Sequence, residues 1–187
     1  MDTERLILAS RSPQRIRLLR DAGFVFEIDP ADIDEAIHPS DLPPEGVAEF
    51  LAGAKAAHVA GRRPGALVLG ADTVVIGADG SLLGKPRDAE HARQMLSSLS
   101  GTTHKVVTGV ALHGPGIRRV AHVHTAVRMR ELTAEEVAAY VATGQWQGKA
   151  GGYGIQDDAP FVTAIEGSIS NVIGLPMELV ADWLRAE

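Results

Sequence analysis

The sequence of 187 residues contains no cysteine, few aromatic residues and no long apolar run. Without cysteine there is no disulfide framework, no cysteine nucleophile and no zinc site with cysteine ligands. No apolar stretch reaches the length of about 18 residues that a membrane-spanning helix needs, so we expect no membrane partner. The first residues lead directly into a short strand-like run and do not have the pattern of a secretory signal peptide. We therefore expect a cytoplasmic protein.

Basic residues are absent from one long segment. The whole chain has a formal net charge of −6, which argues against a protein that binds duplex nucleic acid. Residues 21–54 contain nine acidic residues and no Lys or Arg, so the rest of the chain carries a net charge of +3. The segment is either a solvated acidic loop or part of a site where carboxylates hold a metal beside basic groups that hold an anion.

Strand-like and helix-like patterns alternate along the chain, which predicts an α/β or α+β fold with a mixed sheet. We expect one compact unit, best described as two lobes with a cleft. Predicted strands cover 5–9, 24–28, 66–76, 104–112, 120–130 and 161–165. The strand over 120–130 alternates, with Ala121 to Met129 on one face and His122 to Arg130 on the other. Predicted helices begin at Ser12-Pro13, span 45–60 and 88–99, and follow Pro176. Another begins at the capping box Thr133-Ala-Glu-Glu136 and runs to about 143.

The segment Ser10-Arg-Ser-Pro-Gln-Arg15 lies between the first predicted strand and helix. Hydroxyls, backbone N–H groups and a helix dipole at such a turn favour a phosphate. Arg15, one turn inside the helix, can add a forked pair of donors. An ordinary Ser12 N-cap with surface arginines explains the same residues equally well.

Asp72 lies inside the apolar run of residues 67–76. An aspartate in a buried strand is costly unless it is paired or binds a metal. A metal ligand or general base is favoured over an aspartate that hydrogen-bonds a neighbouring turn.

Two further loops offer ligand contacts. Gly84-Lys85-Pro86 is not a P-loop, because Asp79 replaces the first glycine and Pro86 the hydroxyl residue, but Lys85 could still hold a phosphate. The glycine-rich segment 150–156 allows close backbone approach, and Gln156 could bind a base edge. Lys55, on an alanine-rich helix, would ordinarily be a surface residue.

Taken together, these segments resemble the Maf family of nucleoside triphosphate pyrophosphatases over almost the whole chain. Each motif alone is weak, but the ordered set is specific. The resemblance rests on 8–15, 34–35, 54–56, 69–74, 84–92, 99–101, 108–110, 150–156 and 174–176.

The resemblance implies a single domain over 1–187, with a two-lobed α/β fold, a mixed β-sheet, flanking helices and a central cleft. It also implies hydrolysis of the α–β bond of a nucleoside triphosphate with Mg²⁺ or Mn²⁺, by a homodimer. Asp72 would accept a proton from water and bind the metal together with Glu35. The triphosphate would be bound by Ser10, Ser12, Arg15, Lys55 and Lys85.

The substrate branch depends on a few positions. Thr73 and Gln156 resemble the dTTP/UTP branch, and an amide suits the neutral edge of thymine or uracil. Gln14 stands where that branch usually has Arg, and Asp157 stands where Gly is usual. We therefore expect a dTTP/UTP pyrophosphatase that could also act on modified pyrimidine nucleotides. A preference for 7-methyl-GTP and a non-catalytic nucleotide-binding regulator of septum formation remain the alternatives.

Overall fold

The computed structural model describes residues 5–36, 38–157 and 160–186. No helix among them is both long enough and apolar enough to cross a membrane. The strands are β1 (Leu6–Leu8), β2 (Glu27–Ile28), β3 (Leu67–Ile76), β4 (Leu82–Leu83), β5 (Thr103–Gly114), β6 (Ile117–Met129) and β7 (Val162–Glu166). The helices are α1 (Pro13–Asp21), α2 (Pro44–Ala60), α3 (Ala89–Leu99), α4 (Ala134–Ala142), α5 (Ile169–Ile173) and α6 (Met177–Arg185).

The strands form one seven-stranded sheet in the order β2-β1-β3-β5-β6-β7, with β4 paired to β3. β1 runs parallel to both β2 and β3, with Leu8 opposite Ile28 and Leu69. The pairs β3–β4 and β6–β7 are antiparallel. The sheet is therefore mixed, and with its flanking helices it confirms the predicted α/β class.

Residue contacts divide the chain into two units. The first comprises the described residues up to Asp72, Thr108–Val123 and those from Gly174 onward. The second comprises Thr73–Val107 and His124–Ile173. The single domain over residues 1–187 stays a prediction.

Two apolar layers build the first unit. Alternate residues of β3 point to opposite faces of the sheet, as the two-residue period of a strand requires. One face packs against α2 through Ile7, Val68, Ala52, Ala56 and Val59. The other face packs against α1 and α6 through Leu8, Leu67, Leu69, Leu19 and Val180.

The second unit has a single apolar core shared by α3, α4, β6 and the glycine-rich loop. It includes Leu96, Met129, Tyr140, Tyr153 and Phe161. The predicted capping box at the start of α4 is confirmed, because the Thr133 side chain accepts from the Glu136 N–H and the Glu136 side chain accepts from the Thr133 N–H. Hydrogen bonds from Arg130 and from this cap lower the pKa of Glu136 to about 2.

The structure departs from the predicted elements at a few places. β2 is only two residues long, because the N–H of Phe24 donates to the carbonyl of Leu19 and thus belongs to the end of α1. β4 and α5 are too short for an apolar period to reveal them.

Two glycines allow α2 to lie close to the sheet. A Cβ added to Gly70 of β3 would lie 2.3 Å from the carbonyl oxygen of Ala52. A Cβ added to Gly109 of β5 would lie 2.2 Å from the carbonyl oxygen of Ala48. Both obstacles are helix backbone, so a larger residue at either position would displace α2.

We predict that Gly109→Ala lowers the free energy of unfolding by about 1–3 kcal/mol, the usual cost of overpacking. Gly53→Ala is the matched control, because a Cβ there meets nothing within 4 Å. Alanine inside this helix should raise stability by about 0.5–1 kcal/mol. Urea denaturation of both variants measures the difference, and equal stabilities would contradict the close approach of α2.

Candidate functional site

A lysine and two carboxylates form a charged cluster in the first unit. The Nζ atom of Lys55 lies 2.5 Å from Oδ1 of Asp72 and 2.7 Å from Oε1 of Glu35. Lys55 is 6% exposed and Asp72 is 4% exposed, whereas the Glu35 side chain is 39% exposed. Buried charges are costly unless they are paired, so Lys55 and Asp72 depend on each other.

The strand period of β3 directs Asp72 toward α2. Val68, Gly70 and Asp72 share one face of the strand, since side chains alternate. Val68 packs against α2, and Gly70 lies directly under its backbone. The same face therefore presents the Asp72 carboxylate to that helix.

The helical period of α2 directs Lys55 toward β3. The buried residues of this helix recur at three- and four-residue intervals and include Lys55 with Ala48, Ala52, Ala56 and Val59. The lysine thus occupies a core position in an otherwise apolar stripe. The ordinary expectation of a surface lysine is wrong here.

The turn between β1 and α1 brings together three of the five predicted phosphate-binding residues, Ser10, Ser12 and Arg15. Ser12 caps α1, and its hydroxyl accepts from the Arg15 N–H at 3.4 Å. The same hydroxyl donates to Oε1 of Gln14 at 3.1 Å, and the Ser12 N–H donates to Oγ of Ser10 at 3.2 Å. The N-cap interpretation is thus confirmed for Ser12. A cap does not exclude anion binding, because helix N-termini retain further N–H donors.

Arg15 connects this turn to the charged cluster. Its guanidinium donates to Oγ of Ser10 at 3.4 Å and to the carbonyl oxygen of Gly174 at 2.8 Å. Burial lowers the pKa of Arg15, while the carboxylates of Asp72 and Glu35 act in the opposite direction. An arginine stays protonated in proteins, so a fixed positive charge lies in the field of both carboxylates.

Parallel pairing explains why these groups meet. β1 and β3 run side by side, and the N–H of Ala9 donates to the carbonyl oxygen of Leu69 at 2.8 Å. The segments that follow Ala9 and Leu69 therefore start at the same level of the sheet. β1 ends there, whereas β3 continues to Ile76, so the turn that follows β1 starts at the level of the part of β3 that carries Asp72.

The remaining predicted residues belong to the second unit. Thr73 is partly buried, whereas Lys85 and Gln156 are exposed. The N–H of Gly151 donates to the carbonyl oxygen of Gly84 at 3.0 Å. This bond joins the Lys85 loop to the glycine-rich segment, so two motifs that are far apart in sequence are neighbours within this unit.

Two structural contacts of the site residues were not predicted. The carbonyl of Gly174 holds Arg15, although the motif 174–176 gave it no role. In the second unit, Nε2 of His104 lies 2.6 Å from the hydroxyl oxygen of Tyr153. Burial lowers the pKa of His104 to about 4, so this histidine is neutral near pH 7. A histidine inside a predicted apolar strand was the available signal for that pair.

The carboxylates of the cluster can be tested as metal ligands. No group of three or more His, Asp or Glu side chains within 5–36, 38–157 and 160–186 could hold a metal. Glu35 and Asp72 nevertheless offer two carboxylates that already share one cation, the Lys55 ammonium. Mg²⁺ commonly binds one or two carboxylates together with substrate phosphates and water. The donor set therefore fits a divalent cation that arrives with a phosphate ligand.

Comparison with known proteins agrees with the sequence motifs. Residues 5–187 match a family model described as Maf-like protein. The chain is 46% identical to a dTTP/UTP pyrophosphatase of Pelotomaculum thermopropionicum, with 96% of this chain and 95% of that protein covered. It is 49% identical to a dTTP/UTP pyrophosphatase of Moorella thermoacetica, with 96% and 93% covered.

A solved structure shares the fold at low sequence identity. The HAM1 protein from Coxiella burnetii superposes with a TM-score of 0.58 at 15% identity. The match covers 99% of this chain and 100% of that chain. This likeness supports the architecture alone.

We predict that Lys55→Ala lowers the free energy of unfolding by about 3–5 kcal/mol near neutral pH, because it leaves the Asp72 carboxylate buried without its partner. Adding Asp72→Asn should recover part of that loss, since the unpaired charge is then removed. Denaturant titration of the two single variants and the double variant measures the coupling. Strictly additive losses would contradict the mutual dependence of the two charges.

Proposed function

The chain belongs to the Maf family, and we propose that it hydrolyses the α–β bond of dTTP or UTP to the nucleoside monophosphate and pyrophosphate. The observation that carries this proposal is the buried pair of Lys55 and Asp72, with Glu35 on the same ammonium. Relatives of nearly full length that are called dTTP/UTP pyrophosphatases support the choice of substrate.

In this proposal the triphosphate is bound by the cations and hydroxyls that the sequence motifs assign to it. Ser10, Ser12 and Arg15 surround the N-terminus of α1, where backbone N–H groups favour an anion. Lys55 and Lys85 supply further positive charges in this proposal. These cations stabilise the charge that develops on the leaving pyrophosphate.

Asp72 acts as the general base. A water molecule attacks the α-phosphorus, its proton passes to a carboxylate oxygen of Asp72, and the α–β bridging oxygen leaves with pyrophosphate. The dry surroundings of Asp72 support this role, because a buried carboxylate interacts strongly with a nearby proton donor. Lys55 holds the carboxylate in one position through its 2.5 Å contact.

Mg²⁺ or Mn²⁺ completes the proposed site. Glu35 and Asp72 would hold the cation together with phosphate oxygens. Bound there, it supplies Lewis acidity and neutralises phosphate charge.

In this proposal, Gln156, Thr73 and Gln14 select the base. The exposed Gln156 side chain offers an amide whose donor and acceptor complement the neutral edge of thymine or uracil. The proposal further includes a cytoplasmic homodimer without nucleic acid or membrane partners. The net charge of −6 supports the exclusion of nucleic acid, and the family resemblance supports the dimer.

We predict that dTTP and UTP have the highest kcat/KM in a panel with dCTP, dGTP and 7-methyl-GTP, assayed for pyrophosphate release with Mg²⁺ and with Mn²⁺. Removal of the metal by EDTA should abolish turnover, and added metal should restore it. A clear preference for 7-methyl-GTP would refute the assigned branch. Tight dTTP binding without pyrophosphate release would favour the non-catalytic regulator.

We further predict that Asp72→Asn lowers kcat by about 10²–10⁴-fold, the usual contribution of a general base, with a smaller change in KM. Asp29→Asn is the control, because it makes the same chemical change at an aspartate outside the proposed site. Its carboxylate pairs with Arg62 and Arg63 on the surface, and these hydrogen bonds lower the pKa of Asp29 to about 2. The control should keep the wild-type kcat. An Asp72→Asn protein that releases pyrophosphate at the wild-type rate refutes the mechanism.

A further inference from the structure

The segment that leads to Gln156 has little regular structure to hold it. Between α4 and β7 its described part contains one 3₁₀ turn, Ala150–Gly152. Gly151 and Gly152 adopt φ angles of 69° and 76°. Such a backbone makes few repetitive hydrogen bonds, so side chains must fix its conformation.

The Asp157 side chain makes three contacts that fix this segment. Its carboxylate accepts from the Tyr140 hydroxyl of α4, from the Lys149 ammonium and from the Gly154 N–H at 2.9 Å. The Asp157 side chain is 10% exposed and that of Lys149 is 20% exposed. Charge-assisted hydrogen bonds with little solvent are stronger than surface ion pairs.

Two hydrogen bonds of Asp157 lie within the turn that carries Gln156. The N–H of Asp157 also donates to the carbonyl oxygen of Gly154 at 3.2 Å, so Gly154 and Asp157 are joined in both directions. Gln156 is the third residue of this four-residue turn. A Cβ added to Gly154 would lie 2.9 Å from Nζ of Lys149 and 3.1 Å from the Asp157 carboxylate, so a larger residue there would have to displace these two side chains.

The turn is also tied to the core of the second unit. Tyr140 is 4% exposed and packs edge-on against Phe161, with ring centroids 5.1 Å apart. Burial and the Asp157 carboxylate both raise the pKa of the Tyr140 hydroxyl, so this hydroxyl remains a donor at neutral pH. The turn that carries the exposed Gln156 is thus anchored to a buried aromatic ring.

We propose that Asp157 is a positioning residue: by fastening the Gly154–Asp157 turn to Tyr140 and Lys149, it holds the Gln156 amide ready for a pyrimidine base. This inference rests on the proposed function, in which Gln156 selects the base. Asp157 replaces the glycine usual at this position in the resembling family, so this chain would rely on a side chain to fix the turn.

The test uses equilibrium binding, so that it does not depend on turnover. Calorimetry with the α,β-imido analogues of dTTP and dCTP, in the presence of Mg²⁺, compares the full-length wild-type chain with Asp157→Ala and Gln156→Ala. We expect Asp157→Ala to lose about three- to tenfold in affinity for the thymine analogue, the usual cost of ordering one flexible side chain on binding. Gln156→Ala should lose at least as much, because it lacks the amide that contacts the base. Affinity for the cytosine analogue should change less than twofold.

A double variant separates positioning from general stability. Asp157→Ala combined with Gln156→Ala should bind the thymine analogue no more weakly than Gln156→Ala alone, because Asp157 acts through Gln156. Tyr140→Phe removes one hydrogen bond only and should give a smaller loss, which keeps the test available if Asp157→Ala does not fold. Losses that multiply in the double variant, or an unchanged base preference in Asp157→Ala and Tyr140→Phe, would overturn the proposal.

Asp79→Ala is the matched control in the same unit. Asp79 also fastens a turn, with Oδ1 accepting from the Ser81 N–H at 2.9 Å and from the Ser81 hydroxyl at 2.6 Å. Its loss should leave base preference unchanged. If the variants show this pattern of binding but the wild-type chain does not hydrolyse dTTP, the proposed function alone is refuted. If the wild-type chain hydrolyses dTTP but Asp157→Ala keeps the wild-type base preference, this inference alone is refuted.

Discussion

The buried ion pair of Lys55 and Asp72 is the interaction on which the rest of the first unit depends. Neither charge could remain in the interior alone, so helix α2 and strand β3 must stay at a fixed distance. Gly70 and Gly109 make that distance possible, because any side chain there would meet the backbone of α2. The contact between α2 and the sheet therefore fixes both the packing of this helix and the position of the Lys55–Asp72 pair.

The uneven charge of the sequence acquires two separate explanations in the structure. Glu35, from the acidic segment, joins Lys55, which is the first basic residue after that segment. Asp29, from the same segment, instead pairs with Arg62 and Arg63 on the surface. One acidic residue of the segment thus contacts the buried pair, and another forms ion pairs on the surface. A triphosphate would bring more negative charge to this region, which the fixed charges of Arg15 and Lys55 would offset.

Local signals in the sequence predicted what depends on local contacts. The Ser12 cap, the capping box at Thr133 and the alternation along β6 all follow from residues within one turn or one strand period. The importance of Asp72 was also predictable, because a carboxylate in an apolar strand needs a partner. Its partner was not, since Lys55 is 17 residues away and shows its role only once α2 packs against β3. The same limit applies to Gly174, which holds Arg15 across 159 residues.

In the proposed mechanism Lys55 and Asp72 act as one catalytic unit, and a kinetic double-mutant cycle tests this most directly. The measurement is kcat/KM for dTTP with Mg²⁺ in Lys55→Met, Asp72→Asn and the combined variant. Residues that act as a unit give strongly non-additive losses. We predict that the combined variant is little slower than the slower single variant. Losses that multiply in full would show that the two residues act independently and would contradict the account.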